Sequence, residues 1–265
     1  MGAMRAAVGG LHGAYAIVAM CESEPDVLLV AKKEAPVVIG LGEGENFIAS
    51  DVPAILEHTR RVIFPDDGEI VEVMRDKVSF TTFDGRQVSH AVQEISWDVS
   101  AAEKGGYEHF LLKEINEQPC VIADTMRGRV SKGAISFSEL RPHEAMLRKI
   151  GRLKIAACGT SWHAGLVGKF LLEEIAGVSV DVDYASEYRY RKAPLDEALL
   201  VITQSGETAD ILAALDMANK NDVPTIAICN VVGSSVARKS KVVLTTQAGP
   251  EMSVASSKAF TSQVV

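Results

Sequence analysis

Cysteine is scarce: Cys21, Cys120, Cys158 and Cys229 stand far apart and form no CxxC pair. That scatter excludes a disulfide framework, and with six dispersed histidines it leaves no metal-ligand spacing. Reduced, mostly buried thiols in a cytoplasmic protein are the expectation. Positive charge is also short, with 27 Lys plus Arg against 35 Asp plus Glu and a net charge of −8. So acidic a chain is poorly suited to nucleic acid or to an anionic membrane surface. No apolar run reaches the roughly 20 residues that span a bilayer. The opening Met1-Gly2-Ala3-Met4-Arg5 lacks the apolar core of a signal peptide. What remains is ordinary globular material: 265 residues, 47% hydrophobic and 23% charged, enough for one large domain or two of common size.

The two halves follow different periods. Residues 14–100 predict antiparallel β structure, with β-prone runs at Ala14–Met20, Val27–Ala31, Val37–Ile39, Arg61–Phe64, Ile70–Arg75 and Val78–Phe83. Turns are expected at Ser23–Asp26, Lys33–Pro36, Asp67-Gly68 and Asp84-Gly85. One helix, Val52–His58, is expected to interrupt them, capped by Ser50 or Asp51 with Pro53 in its first turn. Lys104-Gly105-Gly106 marks a boundary, and two helical pieces broken at Gln118-Pro119 follow. From Leu153 strands and helices alternate: Leu153–Ala157, helix 161–176, Val178–Val182, a short helix near 186–191, Leu199–Thr203, helix 207–220, Thr225–Cys229, a helical turn at Ser235–Arg238, Val242–Leu244, and a helix from about Ser256. Ala198-Leu199-Leu200-Val201-Ile202 is apolar throughout, as a strand covered on both faces should be. The fold class is therefore α/β with an α+β front half: an antiparallel part, then a doubly wound parallel sheet.

Three polar runs sit where strands give way to helices: Cys158–Ser161, Thr203–Thr208 and Ser253–Lys258. Each is expected to place hydroxyls and free backbone N–H groups at a helix N-terminus, where the partial positive charge favours an anion. In doubly wound sheets ligands bind outside the carboxyl ends of the strands. Three such loops with few basic residues point to a phosphorylated small molecule held by hydroxyls and amides. Ser205 and Thr208 are equally ordinary helix caps, with Glu207 near the same helix start. Glu207 has an acid/base reading beside its capping one. Lys258 reads either as a point charge for phosphate or as an exposed helix residue. Cys158 and His163 read as packing or solvated residues. Gly40-Leu41-Gly42-Glu43-Gly44 lacks the βαβ context of a dinucleotide fingerprint. The run Tyr188–Lys192 is expected to be a solvated or subunit-facing helix end.

Several of these stretches together resemble a known family. Cys158–Ser161, Gln204–Asp210, Ile228–Asn230 and Val254–Thr261 resemble the first sugar-isomerase (SIS) subdomain of the glutamine–fructose-6-phosphate aminotransferase family. Gly13–Tyr15, Gly40–Asp51, Lys104–Tyr107 and Lys113–Pro119 resemble the late part of its glutaminase domain, an N-terminal-nucleophile fold, and the joint that follows. The resemblance implies residues 1–104 as the C-terminal part of the glutaminase (class II amidotransferase) domain, 105–150 as a helical joint and 151–265 as the first SIS subdomain. It implies an enzyme of amino-sugar biosynthesis that moves glutamine-derived ammonia to fructose 6-phosphate, yielding glucosamine 6-phosphate and glutamate without metal or organic cofactor. It assigns Thr160, Ser161, Thr203, Gln204, Ser205 and Thr208 to the sugar phosphate, with Gly159 allowing close backbone approach and Val254 and Ser256 on the sugar. A homodimer is implied for the intact enzyme.

The family's glutaminase nucleophile is a cysteine at the mature N-terminus, and its ring-opening acid/base residues lie in a second SIS subdomain. Neither has a counterpart here, so catalytic residues are expected outside this chain, which is expected to bind sugar phosphate and to catalyse neither half-reaction alone. The alternative is a non-catalytic phosphosugar-binding or regulatory SIS module, against which the glutaminase-like front half argues. A stand-alone isomerase would need an acid/base pair that the sequence does not offer.

Overall fold

A computed structural model describes residues 1–95, 104–131, 133–191 and 197–265. The chain divides into two compact units, Met1–Val99 and Ser100–Val265.

In the first unit the elements are, in chain order, α1 (Gly2–Val8), β1 (Tyr15–Cys21), β2 (Glu24–Lys33), β3 (Val38–Leu41), β4 (Asn46–Ala49), a 3-10 turn (Val52–Ile55), β5 (Arg61–Ile63), β6 (Glu69–Val73), β7 (Val78–Thr82), β8 (Gln87–Val88) and β9 (Gln93–Glu94). They make two antiparallel sheets, ordered β1-β2-β6-β7-β8 and β4-β3-β5-β9. Val30, Val71, Val73 and Phe80 from the first sheet pack on Ile39 and Ile63 from the second and on Val37 just before β3. Alternation along each strand puts these apolar residues on one face. The other face of the first sheet is covered by Met4 and Val8 of α1, against Ala31 and Ile70.

Two expectations for this unit need correction. The turn placed at Ser23–Asp26 is shorter and earlier, at Glu22-Ser23: β2 already pairs at Glu24, after a register shift between Met20 and Cys21. Pro25 is tolerated because β6 pairs β2 only from Leu28 onward, so no partner on that side meets the missing N–H. The helix expected over Val52–His58 is one 3-10 turn, begun by the Asp51 carboxylate accepting the Val52 N–H at 2.7 Å. The glycines at 40–44 belong to a hairpin between β3 and β4, and β4 itself lacks a β-branched run long enough to read as a strand.

The second unit continues with α2 (Phe110–Met126), a ribbon of β10 (Val130–Ser131) and β11 (Ala134–Ile135), a 3-10 turn at Arg141–His143, and α3 (Glu144–Leu147). Then follow β12 (Arg152–Ala157), α4 (Gly159–Leu171), β13 (Ser179–Tyr184), α5 (Ala185–Tyr188), β14 (Ala198–Thr203), α6 (Ala209–Lys220), β15 (Thr225–Cys229), α7 (Ser235–Lys239), β16 (Val242–Thr245) and α8 (Lys258–Val264). A single π turn, Leu172–Ala176, extends α4 and ends at Gly177 in the left-handed region.

The sheet is parallel throughout, in the order β13-β12-β14-β15-β16. Leu200 and Ile202 of β14 join Leu153, Ile155 and Val180 on one face, while Leu199 and Val201 join Ile211, Leu215 and Val236 on the other. That two-sided burial explains the unbroken apolar run of β14. The order of connection reverses at β12: the chain passes first to β13 on one side and then to β14 on the other, all three strands running parallel. Such a switch point opens a crevice at the carboxyl ends of the strands.

Pro119 does not break α2. Proline at this position removes the N–H that Ile115 C=O would accept. The side-chain amide of Gln118 takes over, donating to Ile115 O at 3.1 Å. Glu114, Gln118 and Val121 recur at helical spacing on the face that packs α8 and the segment before it.

Candidate functional site

β12 and β14 both end in the switch-point crevice. Each hands over to a helix of more than three turns. Cys158 is the N-cap of α4 in extended conformation, and its side chain makes no cap hydrogen bond. Thr208 is the N-cap of α6, and its hydroxyl makes none either. Neither helix therefore satisfies its first-turn amides through a side-chain cap, and both N-termini lie on one cavity. A cap lost in this way costs helix stability on the order of 1 kcal/mol. Two such omissions at one place leave donors available to an incoming acceptor.

The cavity measures about 380 Å³ and is lined by residues 158–161 of the first loop, 202–205 with Thr208 of the second, and 253–256 of the third, together with Ile211 and Glu251. All nine predicted residues, Gly159, Thr160, Ser161, Thr203, Gln204, Ser205, Thr208, Val254 and Ser256, line it. No Lys, Arg or His is among the lining residues. Gly159 stands at φ +58, a conformation that a side chain would strain, at the mouth of α4.

The second loop is tied by its own side chains. Thr203 Oγ1 accepts the Gly206 N–H at 3.2 Å, and Ser205 Oγ accepts the Glu207 N–H at 3.2 Å. A hydroxyl oxygen used as acceptor still has its proton to donate, so both remain competent toward a ligand oxygen. Gly206 sits at φ +70, and a Cβ there would lie 2.1 Å from Ser234 Oγ and 2.8 Å from Cys229 Sγ. Only glycine fits. Glu207 accepts the Ser235 N–H at 2.7 Å, at the start of α7.

The third loop departs from expectation. Its helix starts at Lys258, and the amides of Ser257 and Ala259 are already taken by Glu251 Oε1, at 2.9 and 3.2 Å. Those two amides are therefore spoken for, and to the cavity the loop contributes Ser256 and the fully exposed Val254. Lys258 is buried and paired with Glu117 at 2.6 Å, which settles its two readings in favour of neither. Its ammonium points to α2, away from the cavity lining.

Cys158 borders the cavity, and burial, then the nearby Asp210 carboxylate, push its thiol up. Burial does the same to Cys229. Protonated thiols without a base are packing residues. His163 Nδ1 faces Gly159 O at 3.1 Å on the exposed side of α4. In the run 188–192, Arg189 pairs with Asp210 at 2.9 Å and Arg191 with Asp183 at 3.0 Å, so those charges are met within the unit; Lys192 lies outside the described residues. A second cavity of about 370 Å³ is lined mostly by apolar side chains such as Met126, Ile135, Leu171 and Leu200, with Arg129, Ser262 and Gln263 also on its wall.

In the first unit the fold brings Asp66, Glu69 and His90 together within 4.8 Å, a grouping the spacing did not reveal. His90 Nε2 already faces both Glu69 oxygens, at 2.8 and 3.0 Å, and the Asp66 N–H donates to Glu69 at 2.9 Å. Glu114 and Glu251 were likewise missed. Each carboxylate is read by backbone amides, a role that no local pattern announces.

Residues 146–265 match the SIS domain family. The glutamine–fructose-6-phosphate aminotransferase [isomerizing] of Caldanaerobacter subterraneus subsp. tengcongensis is 50% identical over 266 residues, covering 99% of this chain and 44% of that protein. The enzyme of the same name from Methanosarcina mazei is 48% identical over 99% of this chain and 43% of its own length. Among solved structures, the C-terminal domain of glucosamine-fructose-6-phosphate aminotransferase from Francisella tularensis superposes with a TM-score of 0.57 at 42% identity, over 61% of this chain and 46% of that one. The chain thus spans less than half the length of these curated relatives.

Proposed function

The chain carries a SIS domain and is homologous, along 99% of its length, to part of the glutamine–fructose-6-phosphate aminotransferases, and from that premise we propose that its switch-point cavity binds a hexose 6-phosphate, fructose 6-phosphate or glucosamine 6-phosphate. One observation carries the reading: two helices without side-chain caps, α4 and α6, open on one cavity ringed by hydroxyls. The phosphate takes the amides at the start of α4 and the hydroxyls of Thr160, Ser161, Ser205 and Thr208. Thr203 and Gln204 orient that second loop and add donors. The helix dipoles supply the positive potential that no basic side chain provides here. Val254 and Ser256 meet the sugar, one against its carbon face and one against a hydroxyl.

The same proposal extends to the whole protein: transfer of glutamine-derived ammonia to fructose 6-phosphate, in a homodimer in the cytoplasm. In it residues 1–104 are the later part of a glutaminase domain, 105–150 a joint and 151–265 the first SIS subdomain. No helix among the described residues is long and apolar enough to cross a membrane.

The deciding experiment is a calorimetric titration of the chain with fructose 6-phosphate, with glucose and inorganic phosphate as controls. Saturable binding of the phosphosugar, weaker binding of phosphate and none of glucose is the expected result. A folded sample that binds none of them would remove the site assignment.

A further inference from the structure

The loop that presents Val254 and Ser256 has no regular structure of its own between Glu251 and Ser257. Two carboxylates hold it. Glu251 anchors its far end to α8, as described above. The near end is held from α2, 138 residues away in sequence: Glu114 Oε1 accepts the N–H groups of Met252 at 2.6 Å and Ser253 at 3.2 Å. Those two amides immediately precede Val254. Glu114 is 2% exposed, and its second oxygen, Oε2, is buried without a hydrogen-bond partner. The hydroxyls of Ser253 and Ser257 in the same loop are also buried and unpartnered.

A buried carboxylate with one idle oxygen is costly to keep. Loop closure alone would be served by a neutral acceptor or by apolar packing. A charged acceptor bonding two successive amides gives the stiffest tether available. The rest of the same helix face works in the same direction. Glu117 pairs with Lys258, Gln118 Oε1 accepts the Thr261 hydroxyl at 2.6 Å, and Val121 packs on Ala248 and Ala259. The segment from 248 to 261 is therefore mounted on α2, with Glu114 at the point closest to the cavity-lining residues.

We propose that Glu114 is a positioning residue of the sugar-facing loop: by fixing the amides of Met252 and Ser253 it sets where Val254 and Ser256 stand in the cavity. The proposal rests on the phosphosugar reading of that cavity. Glu114 touches no ligand in this account. It acts through the backbone, so it should govern affinity for the sugar part and leave the phosphate part alone.

The test uses Glu114→Ala, Glu114→Gln and Glu114→Asp, titrated with fructose 6-phosphate and with inorganic phosphate, alongside amide hydrogen exchange at Met252 and Ser253. Glu114→Ala should weaken phosphosugar binding by roughly 10- to 100-fold and speed exchange at both amides, with phosphate affinity changed by less than about twofold. Glu114→Gln keeps an oxygen for both N–H groups without the charge and should fall between the parent and the alanine variant. Glu114→Asp keeps the charge but is one methylene shorter, and should resemble the alanine variant; it serves if that variant fails to fold. Unchanged phosphosugar affinity in folded Glu114→Ala, or a parallel loss for phosphosugar and phosphate, would overturn the proposal. If the parent chain binds no phosphosugar, the reading of the cavity fails instead. Unchanged exchange at Met252 and Ser253 in the variants would then overturn the tether as well.

Discussion

Thr208 separates stability from binding better than any other residue of the second loop. It is the α6 N-cap by position, yet its hydroxyl makes no cap bond. Thr208→Val keeps the shape and removes only that hydroxyl, so thermal stability should move by no more than about 0.5 kcal/mol. Phosphosugar affinity should fall by roughly 1–3 kcal/mol, the worth of a hydrogen bond to a charged acceptor. Stability and affinity that fell together would mean that the hydroxyl serves the helix. Much of the cavity was legible at this scale, because Ser, Thr, Gly and Gln between an apolar strand and a helix leave few other uses for their polar atoms. Glu114 and Glu251 were not legible. Each finds its partners through backbone amides, and for Glu114 those lie at the far end of the unit's sequence. Side-chain identity says nothing about such a meeting.

Helix α2 shows how a local rule is overridden by a neighbour. Proline in a helix interior costs about 3 kcal/mol, partly through the carbonyl it orphans. The break expected at Gln118-Pro119 is absent because Gln118 donates its amide to that carbonyl. Pro119→Ala should therefore stabilise the chain, and Gln118→Ala should cost more with Pro119 in place than in the Pro119→Ala background. A double-mutant cycle read by chemical denaturation should show a coupling of about 1 kcal/mol. Additive effects would assign Gln118 only its bond to Thr261. The parallel strands, by contrast, were legible almost residue for residue. An all-apolar strand flanked by helical periods has one common solution, a sheet covered on both faces. In the first unit Pro25 misled because its tolerance depends on which partner strand reaches it, a fact of register and not of composition.

At the scale of the molecule, acidity decides how stability varies with pH. Lys154 holds Asp181 below its ordinary value of 3.8, and the Arg129 guanidinium holds Glu139 below 4.5. Depressed carboxylates contribute stability that is present above those values and is lost as pH falls through the lower folded ones. Lys154 carries the opposite sign. Burial pulls it down, but Asp181, Asp183 and Glu197 raise it above 10.5 overall, so its share is present below 10.5 and lost at higher pH. Thermal melts should show a plateau between about pH 5 and 10, with the acid decline removed in part by Asp181→Asn. A profile that Asp181→Asn leaves unaltered would deny that pair a role. The four thiols have a consequence of another kind. Cys21 and Cys120 are exposed, Cys158 is half covered, and Cys229, at the end of β15, is buried beside Gly206 and Ser234 with its proton held on by burial. An alkylating reagent will therefore meet them in succession, and its reaction at Cys229 must wait for the parallel sheet to open. Carried by its own cysteines, the chain has a graded stopwatch for its breathing.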